Sequence, residues 1–382
     1  MKEKLLELWK ATNKRVVFML FLLALILIVF NILSGGYILR AENLANLFRQ
    51  VTVVAILSVG MTLVIVSGNI DLSVGSALGM FGALTAALIA HMDMNPLAAI
   101  FLVLVLGFLT GCLHGALIHY LNIPAFVVTL GGLIAYRGVT QYIARQSIPV
   151  RVSWIKSIAQ DFTPDYVSFS LMAVVIAAPV ALTAVKRLRL KKADLPAPVP
   201  LWVEVLKVTI LAAAITGIVI TLVSGDGIPV QALILLVAAV LVSLIARYTP
   251  FGHYVYAIGG NKQAALYSGI SIPRNTILVF GLMTMLSAVC GIITISELSS
   301  AAPDIGDLKE LEAIAACVIG GTSLMGGSGS VGMSILGAFI MASIKNGMSM
   351  MGIVAQMQKI ILGSVLVLAV ALDQWSRRGK GR

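Results

Sequence analysis

Gly327-Ser328-Gly329-Ser330-Val331-Gly332 reproduces the G-x-G-x-x-G spacing of dinucleotide-binding turns, where glycines let backbone N–H groups close on a pyrophosphate. That chemistry also needs a preceding strand and an acid about twenty residues downstream, and neither is present, so the match is set aside. No G-x-x-x-x-G-K-[ST] run occurs, so the chain has no loop of that kind to cradle ATP phosphates, and any ATP-driven step needs a separate subunit. His114 and His119 are five apart, about 140° around a helix, which is not the i, i+4 pairing of an H-E-x-x-H metal site. Cys112, Cys290 and Cys317 sit far apart in apolar stretches and read as buried free thiols rather than a disulfide framework or a zinc site. With no cluster of His, Asp or Cys at nucleophile or ligand spacing, no residue is expected to be catalytic and no metal or cofactor is expected on this chain.

The remaining candidates are ionisable groups inside apolar sequence, which are costly there and usually functional: Asp71, His114, Arg137 and Lys345. Asp71 could carry a proton, bind a substrate hydroxyl, or cap the helix opening at Ser73; its place just before a helix start favours capping. Arg137 and Lys345 are either functional intramembrane charges or long side chains near segment ends that reach the interface.

The elements that hold these groups follow from composition. Of 382 residues, 59% are hydrophobic and 11% charged, against about 25% charged in soluble domains. Apolar runs fall near 16–33, 51–68, 73–90, 97–119, 124–143, 167–185, 206–223, 229–247, 276–296, 312–325, 331–349 and 356–373. Each is near the roughly twenty residues a helix needs to cross a bilayer. The alternation of a membrane barrel is missing. The expected fold is therefore all-α, a polytopic transmembrane bundle of about twelve spans including broken or re-entrant helices, in one domain covering 1–382. The net charge of +11 is not a nucleic-acid patch, because the basic residues punctuate the gaps between apolar runs. They gather in residues 1–15, the 186–205 loop, the 248–275 loop and the 374–382 tail, which places both termini in the cytoplasm by the positive-inside rule. Gly107-x-x-x-Gly111-x-x-x-Gly115 and Gly75-x-x-x-Gly79 predict close helix packing.

Two stretches break the pattern. Gly68-Asn69-Ile70-Asp71-Leu72 and the glycine-rich Gly320 to Ser330 cannot continue a regular helix, and each is followed by Ser-Val-Gly opening a new one, at Ser73 and Ser330. Irregular backbone at membrane depth is tolerated only against protein or a watery cavity, so paired breaks point to a transport route. Asn69, Asp71, Ser73, Thr322 and Ser323 are its candidate lining, with Asn346 added from a later span. Between the eighth and ninth runs, Asn261 can cap a short helix through Ser268 that Gly269 ends. Its Ala264, Ala265 and Leu266 suit a groove on a partner protein, with an interfacial helix on lipid as the other reading.

Gly68-Asn69-Ile70-Asp71-Leu72-Ser73-Val74-Gly75-Ser76, Ala257-Ile258-Gly259-Gly260-Asn261 with Ser268-Gly269-Ile270, and Ala315-Ala316-Cys317-Val318-Ile319-Gly320-Gly321-Thr322-Ser323 together resemble the permeases of ribose-type sugar importers of the ATP-binding-cassette class. The resemblance covers about 43 to 373. The usual member has about ten spans; the extra pair near 167–185 and 206–223, and Asn346-Gly347-Met348-Ser349-Met350-Met351, look like the xylose-permease branch. The resemblance implies a homodimer in the bacterial inner membrane that receives a monosaccharide from an extracytoplasmic binding protein. It also implies a cytoplasmic subunit that binds ATP and Mg and hydrolyses the nucleotide. On that analogy Asn261, Lys262, Ala264, Ala265, Leu266, Ser268 and Gly269 form the helix that docks on the ATPase, and Glu297, Asp304, Asp307 and Glu310 help receive the binding protein. The alternative is an ion-coupled secondary transporter, which would place acids deep in its spans where this sequence has almost none.

Overall fold

The computed structural model describes residues 14–193, 195 and 199–378; residues 1–13 of the basic N-terminal stretch, part of the 186–205 loop and residues 379–382 of the tail lie outside the described residues. The chain is helical, with one two-residue ribbon, and among the described residues nine helices are long and apolar enough to cross a membrane. It divides into two compact units, residues 1–46 with 162–229, and residues 47–161 with 230–382.

In the first unit, α1 (Lys14–Leu33) is an apolar helix with most of its surface outward. After α2, α3, α4, α5 and α6, described below, come the unit's other two spans, α7 (Asp165–Lys192) and α8 (Leu201–Val223). The segment Lys186 to Lys192, expected as loop, is the last two turns of α7. Straight-chain Lys, Arg and Leu are good helix formers, and cations suit a helix C-terminus, so the helix runs on past its apolar part. Arg187 ties it to α8 through Glu204 and donates to the Val199 carbonyl at 2.8 Å.

The second unit is built around α2 (Ala41–Val66), of which every residue from Val51 to Val66 is buried. The unit also contains α3 (Val74–His91), α4 (Pro96–Tyr120), α5 (Ala125–Ile143), α9 (Val230–Tyr248), α12 (Ile272–Leu298), α13 (Lys309–Ile319), α14 (Val331–Met350) and α15 (Ala355–Arg378). Short α6 (Ser153–Gln160), α10 (Pro250–Gly260) and α11 (Lys262–Tyr267) complete it, with a ribbon pairing β1 (Ile148–Pro149) to β2 (Ser300–Ala301). Starts are set by local chemistry. Asn95 accepts from Leu97 N at 2.9 Å ahead of Pro96, and Thr249 caps α10 ahead of Pro250.

The small-residue stripe on α4 does what its spacing predicts. A Cβ added at Gly111 would lie 2.1 Å from the Phe280 carbonyl oxygen, and one at Gly115 2.5 Å from Ile277 Cα, so α4 and α12 touch backbone to backbone. Three of the twelve apolar runs are not among the nine spans: 124–143 and 312–325 on grounds of polarity or length, and 356–373 because its apolar helix, Ala355–Leu368, is shorter among the described residues. α5 is 19 residues long but carries Thr129, Tyr136, Arg137, Thr140 and Gln141. The 312–325 run is helical only to Ile319, because Gly320, Gly321, Gly326 and Gly327 follow, and the last three adopt positive φ.

Candidate functional site

The two breaks that the sequence sets some 250 residues apart meet in space. Gly327 N donates to the Val66 carbonyl at 2.9 Å, and a Cβ on Gly326 would fall 3.1 Å from both Gly68 Cα and Gly68 N. A third segment closes the junction. Gly259, near the end of α10, presses so tightly against it that a Cβ would lie 1.7 Å from the Val66 oxygen and 2.8 Å from Gly327 N. Tyr256, one turn earlier on α10, donates to the Gly329 carbonyl at 3.0 Å. The two breaks and the end of α10 thus satisfy backbone groups of the breaks, which is the condition for broken helices at membrane depth.

Behind the junction lies a buried ladder of hydroxyls. Thr62 Oγ1 on α2 lies 2.7 Å from Ser334 Oγ on α14, Ser334 lies 3.3 Å from Thr322 Oγ1, and Cys317 Sγ donates to the Ser58 carbonyl at 3.3 Å. Of the residues proposed to line a route, Thr322 belongs to this ladder and Ser323 N bonds the Ser328 carbonyl within the same loop. Asn346 is buried on α14, twelve residues beyond Ser334 and so about 18 Å along the axis; the structure does not bring it to the junction.

Asp71 is fully buried, and its Oδ1 accepts from Ser73 N at 2.8 Å and from Ser73 Oγ at 2.6 Å, so it orders the turn into α3. What sequence reasoning missed is its company. His114, judged to have no carboxylate nearby in sequence, interacts electrostatically with Asp71. Its Nε2 pairs with the Tyr136 hydroxyl at 2.6 Å, and the two rings stack. Gly132 makes the space: a Cβ there would strike His114 Cε1 at 2.8 Å and Ser73 Cβ at 3.1 Å. Asp71 Oδ2 and His114 Nδ1 have no hydrogen-bond partner among the described residues. No sequence spacing links positions 71, 114, 132 and 136; only the packing of α3, α4 and α5 does.

At the far end of α10 the chain turns through Asn261, whose Oδ1 accepts from Ala264 N at 3.0 Å, into the six-residue α11. Gly269, at φ +77°, follows its end. This is the short helix the sequence predicts, with one difference of orientation. Ala265 points into the protein and packs with Ile258, Ile270 and Ile272, whereas Lys262, Ala264, Leu266, Tyr267 and Ser268 face outward. Tyr267, which the sequence reading passed over, is its most exposed large side chain at 85%. Ala265 thus seats α11 against Ile258, the residue before Gly259.

The acidic segment from 297 to 312 separates into different environments. Asp304 and Asp307 are exposed and Glu297 is half-buried, but Glu310 is buried against α3, its Oε2 within 2.0 Å of where a Gly75 Cβ would stand. That inward turn takes Glu310 out of the surface set expected to meet a partner; the absence of a Cβ at Gly75 is what admits it. Both basic residues left open by the sequence have partners on this segment. Arg137 donates to the Ile305 carbonyl at 2.8 Å, and Lys345 to Glu312 at 2.8 Å, which Lys309 also contacts at 2.7 Å. Neither is a lone charge.

A family described as the permease component of a branched-chain amino acid transport system matches residues 43–370. The xylose transport system permease protein of Escherichia coli is 37% identical over 370 residues, 97% of this chain and 94% of its own length. Its counterpart in Haemophilus influenzae is 35% identical over 370 residues, 97% and 98% of the two chains. The ribose import permease protein of Escherichia coli is 32% identical over 365 residues, 96% and 94%. No solved structure matches the chain significantly.

Proposed function

The chain belongs to the family of branched-chain amino acid transport system permease components, and we propose that it is the membrane-spanning permease of an ATP-binding-cassette importer that carries a monosaccharide, xylose or a similar pentose or hexose. The xylose and ribose relatives, each matched over nearly its whole length, support a sugar rather than an amino acid. The chain works as a homodimer in the bacterial inner membrane, with both termini in the cytoplasm. It takes its cargo from an extracytoplasmic binding protein that docks near Glu297, Asp304 and Asp307. A separate cytoplasmic subunit binds ATP and Mg, and its closing and opening moves α11, so the permease itself catalyses nothing.

The observation that carries this reading is the junction of Gly259 with Val66 and Gly327. It joins an exposed cytoplasmic foot to both helix breaks, so a push on the foot selects between two arrangements of the break region, and the sugar path opens to one side or the other. Weak polar contacts suffice for the cargo, because a site that binds tightly would also release slowly.

The test is reconstitution. Proteoliposomes holding the permease, its ATPase and its binding protein should accumulate xylose against its gradient only when ATP is supplied on the α11 side. Uphill accumulation by the permease alone, driven by a proton or sodium gradient, would show it to be a secondary transporter instead.

A further inference from the structure

Between the first break, the α4–α5 turn and the α10–α11 corner lies a cavity of about 320 Å³, the low end of the range that holds small metabolites. Its polar wall is Ser67, Asn69, His119, Asn122, Asn261, Lys262 and Thr276. No carboxylate and no Phe, Tyr or Trp ring lines it among the described residues. Lys262 has no hydrogen bond or ion pair among the described residues, so its charge is unspent. Asn261 uses its Oδ1 on Ala264 N, which leaves its amide nitrogen available as a donor.

We infer that this cavity binds a small phosphorylated polyol, a monosaccharide phosphate being the class that fits. A cation unopposed by any acid, flanked by His and Asn side chains, selects an anion with hydroxyls around it. A neutral sugar is disfavoured, since the wall offers no Phe, Tyr or Trp face to cover the apolar side of a sugar ring. Such a ligand touches three chain segments at once and holds α11 fixed relative to α4 and the first break. Where the importer reading holds, on which this consequence rests, the occupant slows transport. A kinase acting on the imported sugar makes a compound of this kind, so the site lets accumulated product restrain further uptake.

The experiment uses the full chain in lipid nanodiscs, with ribose 5-phosphate as the probe and calorimetry as the readout. Inorganic phosphate and neutral ribose serve as competitors. Asn122 has φ +52°, which aspartate also tolerates, so Asn122→Asp keeps the turn and sets a negative charge in the wall. Both Asn122→Asp and Lys262→Gln are expected to weaken binding by about tenfold or more, and neutral ribose should not displace the probe. Absence of binding to the wild type, affinity unchanged in both variants, or equal competition by neutral ribose or inorganic phosphate overturns the inference. Because this measurement needs no transport, its failure leaves the importer reading untouched. In the reconstituted complex, ribose 5-phosphate on the α11 side should slow uptake by the wild type; unaltered uptake at saturating probe overturns the regulatory consequence.

Discussion

Replacing Gly259 with alanine places a methyl group 1.7 Å from the Val66 carbonyl oxygen and 2.8 Å from Gly327 N. Relief requires a backbone shift of about 1.8 Å, since non-bonded heavy atoms settle near 3.5 Å. That shift breaks the 2.9 Å bond from Gly327 N to Val66 O, which costs about 1–3 kcal/mol when the freed groups stay buried. Overpacking adds about 1–3 kcal/mol. The sum, roughly 2–6 kcal/mol, matches the few kcal/mol that separate alternating states of a switch, so ATP-driven sugar uptake should fall at least about thirtyfold. Gly260 is the control built into the same helix. A Cβ there meets nothing within 4 Å, so Gly260→Ala should leave uptake at the wild-type level and hold stability within about 1 kcal/mol. The assay is uptake in proteoliposomes containing the whole complex, with thermal midpoints measured in parallel. Uptake by Gly259→Ala within twofold of wild type, or equal damage from the two substitutions, would refute the claim that this contact links the foot to the breaks.

Two further outcomes follow from burial. Ala265→Arg drives a charge among Ile258, Ile270 and Ile272 and should cost about 2–4 kcal/mol of stability, whereas Tyr267→Asp, on a side chain 85% exposed, should leave the thermal midpoint unchanged but abolish co-purification of the ATPase; equal midpoints for both variants would contradict the orientation of α11. Gly111→Val pushes side-chain atoms into the Phe280 carbonyl and should cost about 3 kcal/mol or more, while Gly131→Ala, with open space around it, should be neutral. A Gly111→Val protein that melts with the wild type would show that α4 and α12 are not in backbone contact.

Most of the scaffold was legible because a membrane helix advertises itself by length and apolarity, and the two breaks by glycine and polar residues inside such runs. Gly107, Gly111 and Gly115 even named a contact face. The side a residue presents on a six-residue helix was not legible, since Ala264, Ala265 and Leu266 differ little in type and only the neighbours Ile258 and Ile272 decide which one turns inward. Glu310 was misjudged for a similar reason: acids read as surface until a bare Gly75 on another helix is found to receive one. The grouping of Asp71, His114 and Tyr136 was out of reach altogether, because no local spacing encodes the mutual placement of three helices.

α2 has 89% of its most apolar window enclosed by the rest of the protein, against 6% for α1. A helix so enclosed at the end must still enter the bilayer early in synthesis, before α12, α13 and α14 have been made. Its hydroxyls are prepared for that wait: Thr52 donates to the Phe48 carbonyl at 2.8 Å, Ser58 to Ala55 at 2.8 Å and Thr62 to Ser58 at 2.7 Å, all on the same helix. No polar hydrogen on these three side chains depends on a later arrival, so the segment can sit in bare hydrocarbon and exchange its lipid neighbours for protein ones as the ribosome delivers them.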